Sequence, residues 1–140
     1  MNLFVDTSGW ISLFDRSDKY HVVASQTWGT LRKQPLNLVT SDYVFDETIT
    51  HFLYRCGRQV ALRFGRWVLS TDYLTLIFIE QGTWLSAWDM LQDYKDKEWA
   101  FTDCTSFVLM QQRSLWTAFT FDPHFEQAGF QRWPSISLDS

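Results

Sequence analysis

No stretch of this 140-residue chain approaches the ~18 consecutive apolar residues that a membrane helix needs. No secretory leader is expected either, since Met1-Asn2 runs straight into a short apolar segment and then an aspartate. A cytoplasmic protein with no membrane partner is therefore expected. Cysteine is scarce: Cys56 and Cys104 have neither metal-ligand spacing nor a disulfide framework, and both read as small buried thiols. The three histidines, His21, His51 and His124, share no ligand spacing, and His124-Phe125 reads as packing a turn, with a place near a functional site as the alternative. No Ser-His-Asp or Cys-His set is apparent. With six glycines and no glycine-rich phosphate loop, a nucleotide-binding fold of the Rossmann type has little support. Basic excess is lacking as well. A net charge of −4 counts against a protein that simply coats phosphate, but not against an enzyme whose own acids are neutralised locally by metal.

What the chain does have is apolar bulk. Hydrophobic residues make up 46% and charged residues 20%, which excludes disorder and fits one domain spanning 1–140. Aromatic residues reach 18%, with eight Trp and twelve Phe. They either build the core or face a partner, since large rings anchor both.

Short apolar runs alternate with helical periodicity. Leu3-Phe4-Val5 reads as a strand stopped by Asp6-Thr7-Ser8, after which Trp10, Ile11 and Phe14 recur at helical spacing. A helix from Tyr20 to about Lys33 would turn Val22, Val23 and Trp28 inward. Leu36–Val39 reads as a second strand, and Thr40-Ser41-Asp42 starts a helix that Gly57 stops. Another helix carries Val60 to Val68. Leu74–Ile79 is the clearest strand, followed by a helical stripe through Trp84, Leu85, Trp88 and Leu91. Thr102-Asp103 opens a further helix, Trp116–Phe121 is a strand, and Ile136–Leu138 is read as a last short one. Near-continuous apolar strands between helices imply a three-layer α/β/α sandwich around a mainly parallel sheet of four or five strands.

Acids fall at the ends of these strands. Asp6 follows the first, Glu47 lies early in the helix after the second, Asp103 opens a helix, and Asp122 follows the Trp116–Phe121 strand. Ligands of open parallel sheets bind beyond the carboxyl ends of the strands, so these acids would converge on one edge. Clustered carboxylates repel, and a cation among them relieves the repulsion. Oxygen donors without a histidine pair select Mg²⁺ or Mn²⁺ over zinc, and such ions serve phosphodiester hydrolysis. Each acid also has a plainer reading: Asp6 and Asp103 as helix caps, Glu47 as a partner of a helix dipole, Asp122-Pro123 as a turn.

Four segments together resemble the motifs of the PIN-domain family. They are Phe4-Val5-Asp6-Thr7-Ser8, Asp46-Glu47-Thr48, Trp99 to Phe107 around Asp103, and Phe119-Thr120-Phe121-Asp122-Pro123-His124-Phe125, which Gly129-Phe130 follows. They occur in the family's order and cover nearly the whole chain. The resemblance implies a parallel sheet flanked by helices and a Mg²⁺- or Mn²⁺-dependent ribonuclease acting on single-stranded RNA. It implies catalytic roles for Asp6, Glu47, Asp103 and Asp122, with Asp6 and Asp103 as metal ligands. Glu47 would complete the site directly or through water, and Asp122 would hold a second metal or orient the attacking water. Thr7 or Ser8 would hydrogen-bond a ligating carboxylate. Whether Asp46 or Glu47 points inward stays open. Small members of this size resemble VapC-type toxins, which implies a homodimer and an antitoxin protein as partners.

Arg55, Arg58, Arg63 and Arg66, with Arg32 and Lys33 nearby, form a basic cluster that would share one helix face if Gly57 does not break it. It reads either as an RNA contact or as a solvated face. Two other classes compete with the nuclease. One is a catalytically silent PIN-fold interaction module, which the aromatic excess motivates. The other is a phosphoryl-transfer α/β protein, which Ser8 disfavours, because a haloacid-type phosphatase needs a second Asp there.

Overall fold

A computed structural model of the chain describes residues 1–135. In chain order its elements are β1 (Asn2–Val5), α1 (Thr7–Phe14), α2 (His21–Leu31), β2 (Asn37–Ser41), α3 (Asp42–Arg55) and α4 (Arg58–Ser70). β3 (Leu74–Ile77), α5 (Gln81–Asp93), α6 (Phe101–Gln112), β4 (Thr117–Phe119), α7 (His124–Gln127) and β5 (Gln131–Trp133) follow. The strands form one five-stranded sheet in the order β3-β2-β1-β4-β5, and every pairing is parallel.

The burial of β1 explains its central place. Leu3, Phe4 and Val5 are all buried, so both faces of the strand are covered, as a parallel sheet between helices requires. Leu3 stands opposite Leu38 on β2, and Val5 opposite Phe119 on β4. Helices α1, α2, α3 and α4 pack on one another, and α5 packs on α6. The rings sort the same way. Trp10 meets Phe14, Phe64 and Trp67, and Phe52 meets Phe64, joining α1, α3 and α4. A second cluster sets Phe107 against Trp99, Phe125 and Phe130, with Phe4 reaching it from β1. Most of the aromatic excess is therefore core. A minority is not: Tyr54, Phe78, Trp84, Trp88, Tyr94 and Trp116 are exposed.

Several expectations shift. The fifth strand is Gln131–Trp133, while Ile136–Leu138 lies outside the described residues. Arg132 in the middle of β5 is buried, its Nε donating to Glu126 Oε1 at 2.5 Å, so a charged residue occupies a strand position. β3 stops at Ile77 and is an edge strand; Phe78 beyond it is two-thirds exposed, so apolar content overstated its length. Val22 on α2 faces solvent, and Ala24 and Leu31 take the inward positions instead. The short helix α7 inside the fourth motif was not foreseen. Among the described residues, no helix is long and apolar enough to cross a membrane.

Candidate metal centre

The sheet order makes β1 and β4 neighbours although they lie far apart in the chain, so the connections leave their carboxyl ends toward opposite sides. Ligands of open α/β sheets bind at such a switch point. Asp6 sits there. Its backbone N–H donates to the Phe119 carbonyl at 3.2 Å, extending the β1–β4 ladder by one residue. Asp6 occupies the N-cap position of α1, yet its side chain makes no capping bond. Its Oδ2 instead accepts from the Thr120 hydroxyl at 3.1 Å and from the Ser8 hydroxyl at 3.4 Å. Thr120 Oγ1 also accepts the Asp122 N–H at 3.0 Å, Ser8 Oγ accepts the Phe121 N–H at 2.9 Å, and the two hydroxyls lie 3.0 Å apart. A small network thereby ties the end of β1 to the end of β4.

Gly9 lets this happen. A Cβ at that position would collide with the Phe119 carbonyl oxygen and its ring, so α1 could not start so close to β4.

Glu47 arrives from α3, whose start is fixed by Ser41 Oγ accepting the Val44 N–H at 3.1 Å. Its Oε1 accepts the Thr7 hydroxyl at 2.5 Å, which links the second motif to the first and places Glu47, on the residue side left open above, toward Asp6. Asp103 is not the cap of α6. It stands at the third helical position, where its Oδ2 accepts the Ala100 N–H at 2.9 Å. Asp122 is both a turn former and a cluster member, because its Oδ1 accepts the His124 N–H at 2.9 Å. His124 Nδ1 lies 3.2 Å from Asp122 Oδ1 and 3.6 Å from Asp103 Oδ2. It makes no hydrogen bond to either, and the atom is buried.

Charge confirms the convergence. Burial first, then Asp103, with Asp122 and Glu47 adding, push the Asp6 carboxyl up from 3.8 to about 7, against an opposing Thr7 backbone hydrogen bond. Asp103 is pushed up to about 6, again chiefly by burial. The Ala100 N–H and His124 oppose that rise, while Asp122 and Glu47 add to it. The thiol of the adjacent Cys104 is raised to about 11 by burial and by Asp103, which makes it inert, as a small buried thiol should be.

All four predicted acids thus come together. Among the described residues, no lysine or arginine forms an ion pair with any of them. Repelling, partly desolvated carboxylates beside an unpartnered imidazole nitrogen fit a divalent cation. Asp103, Asp122 and His124 offer ligand atoms all within 4.8 Å of one another. Asp6 stands outside that trio and is joined to it through charge.

The family model for the PIN domain matches residues 3–131. The chain belongs to the PIN-domain family. PIN domains are nucleases that depend on metal, and the acidic cluster is where this PIN domain would hold one. It is 34% identical over 132 residues to a 23S rRNA-specific endonuclease, VapC20, of Mycobacterium tuberculosis, covering 91% of this chain and 95% of that one. The crystal structure of that protein, described as a Sarcin-Ricin loop cleaving toxin, superposes with a TM-score of 0.85 at 32% identity, with the same coverage of both chains. FitAcB from Neisseria gonorrhoeae shares the fold at a TM-score of 0.65, 16% identity and coverage of 94% and 96%.

Two residues of this PIN domain's site escaped the reading of the sequence: Thr120 and Gly9. Of the two readings of His124, turn packing or a place near the site, the second holds, since its Nδ1 lies close to two of the acids. The basic stripe does not form as one face. Gly57, at φ 93°, separates α3 from α4, so Arg55 ends one helix and Arg58 starts the next. Arg55 and Arg63 line a cleft with Asp15 and Arg16, whereas Arg32 lines a different cavity with Trp28, Trp67 and Tyr73.

Proposed function

We propose that this PIN domain is a Mg²⁺- or Mn²⁺-dependent endoribonuclease that hydrolyses phosphodiester bonds in single-stranded RNA, such as an exposed loop of ribosomal RNA. One observation carries the reading: four acids from four separate segments of the chain meet at the β1–β4 switch point, two of them with strongly raised carboxyl groups. The mycobacterial relative that cuts 23S rRNA points to the same substrate class. Asp6 and Asp103 would be the principal ligands, and Glu47 would complete the set. A divalent cation in this position supplies Lewis acidity to a phosphodiester and lowers the pKa of water.

The protein's own groups do the holding. Thr120 and Ser8 fix the Asp6 carboxylate, Thr7 fixes Glu47, and the Ala100 N–H fixes Asp103. Asp122, with its side chain about a quarter exposed, would hold metal or orient an attacking water.

The test is cleavage of a mixed single-stranded RNA pool and of intact ribosomes, with Mg²⁺ or Mn²⁺, by wild type and Asp103→Asn. Cutting by the wild type alone, stopped by EDTA and restored by metal, is the expected result. No cutting of either substrate by a folded wild type that binds metal would favour the silent interaction module. A specific feature keeps that second reading in view: Leu53 and Tyr54 on α3 and Trp84, Leu85 and Trp88 on α5 leave apolar surface exposed. In the nuclease reading the same surface serves a homodimer and an antitoxin protein of the VapC-type pairing. Light scattering of the isolated protein tests the first of these.

A further inference from the structure

We propose that His124 is a nitrogen ligand of the same cation, beside Asp103 and Asp122, and that it tilts the site away from Mg²⁺ toward transition ions such as Mn²⁺. The inference rests on the metal-dependent reading above and adds a donor that reading does not assign.

Two independent observations carry it. The first is an unsatisfied atom. His124 Nδ1 is buried, and among the described residues it has no hydrogen-bond partner, although two carboxylate oxygens stand beside it. A buried ring nitrogen without a partner costs free energy unless something else uses its in-plane lone pair. The second is spacing. Ligands about 2.1 Å from one ion and at right angles to each other lie about 3 Å apart. Nδ1 lies 3.2 Å from Asp122 Oδ1 and 3.6 Å from Asp103 Oδ2, and the ligand atoms of the trio fall within 4.8 Å of one another. The 3.2 and 3.6 Å separations suit neighbouring donors on one ion.

The neighbouring structure holds the ring in place. The His124 N–H is bonded to Asp122, and α7 begins at His124, directly after Pro123. The backbone of His124 is thereby fixed by the same turn that positions Asp122. A plain structural histidine would instead sit near the acids as a packing group or counter-charge, and its loss would weaken every divalent ion alike. A ligand nitrogen discriminates, because Mg²⁺ takes oxygen donors whereas transition ions accept imidazole.

The experiment uses the full chain loaded with Mn²⁺ and reads the electron spin echo of the bound ion, with Mn²⁺ and Mg²⁺ affinities measured by calorimetry. Imidazole nitrogen modulation is expected in the wild type and in His51→Ala, and is expected to vanish in His124→Ala. The same variant is expected to lose Mn²⁺ affinity by about tenfold or more while Mg²⁺ affinity changes less than about twofold. His124→Gln, which keeps size and polarity, serves if the alanine variant does not fold. Tight Mn²⁺ binding by the wild type without nitrogen modulation overturns the proposal and leaves the carboxylate site standing. Equal losses for both ions overturn it too. A wild type that binds no Mn²⁺ overturns it together with the metal-dependent reading.

Discussion

Thr120 donates its hydroxyl to Asp6 Oδ2 across 3.1 Å, although 114 positions separate the two residues in the chain. The same oxygen of Thr120 accepts the Asp122 N–H, so one hydroxyl positions two acids from adjacent strand ends. Thr120→Val keeps the shape and removes both bonds. Metal-dependent RNA cleavage is expected to fall by about 10- to 100-fold, the usual cost of losing a group that orients a ligand. Circular dichroism should stay unchanged, and a variant with wild-type turnover would show that Asp6 needs no such support.

Gly9→Ala tests the close approach of α1 to β4. The added methyl meets a backbone carbonyl, which cannot rotate away as a side chain could. A stability loss of about 1–3 kcal/mol is expected by urea unfolding. Activity should drop as well, since Thr7 and Ser8 move with the start of the helix. Gly29→Ala is the control, because nothing lies near that position.

The raised acids give stability a pH dependence with a definite sign. Asp6 titrates near 7 and Asp103 near 6 in the folded state, against 3.8 as the ordinary value. Between these limits the folded state holds more protons than the unfolded one, so stability falls as pH rises from about 4 to 7. In EDTA the protein is expected to resist urea better at pH 5 than at pH 8, and divalent cation should narrow the gap. Asp6→Asn should gain on the order of a few kcal/mol at pH 8 while losing cleavage. A metal-free protein equally stable at both pH values would contradict the burial of these charges.

Thr7→Val releases Glu47 from its anchor. The contact lies near solvent, so a smaller effect follows: a loss of a few fold, on the order of 1 kcal/mol, in kcat/KM. Steady-state kinetics on a cleaved RNA oligonucleotide would read it. A loss as large as that of Thr120→Val would mean that Glu47 ranks with Asp6 in holding the metal.

Much of the frame was legible because it is repetitive. β1 carries the buried apolar run Leu3-Phe4-Val5, β2 carries Leu38 and Val39, and the helices carry their periodicity openly. Asp6 and Asp122 were legible because they follow strands, and Asp103 and Glu47 because they lie in the first two turns of helices. What stayed hidden depends on partners distant in the chain. Arg132 reads as a surface residue until Glu126 and the Phe121 carbonyl supply its contacts, and so a three-residue strand around it looks like a loop. His124 reads as a turn residue until Asp103, in another helix, comes within 3.6 Å. Gly9 looks like an ordinary helical glycine until β4 lies against it. Val22 shows the opposite failure, since apolar character alone did not say which side of α2 would meet the sheet.

The pairing of β1 with β4 also orders events in time. Translation delivers Asp6 first, and Asp103, Thr120 and Asp122 only about a hundred residues later. Until those residues emerge, the Asp6 carboxylate has neither its hydroxyl support nor its fellow acids, and a nascent chain carries no assembled centre. The acidic centre of this PIN domain thus stays incomplete until synthesis is nearly done.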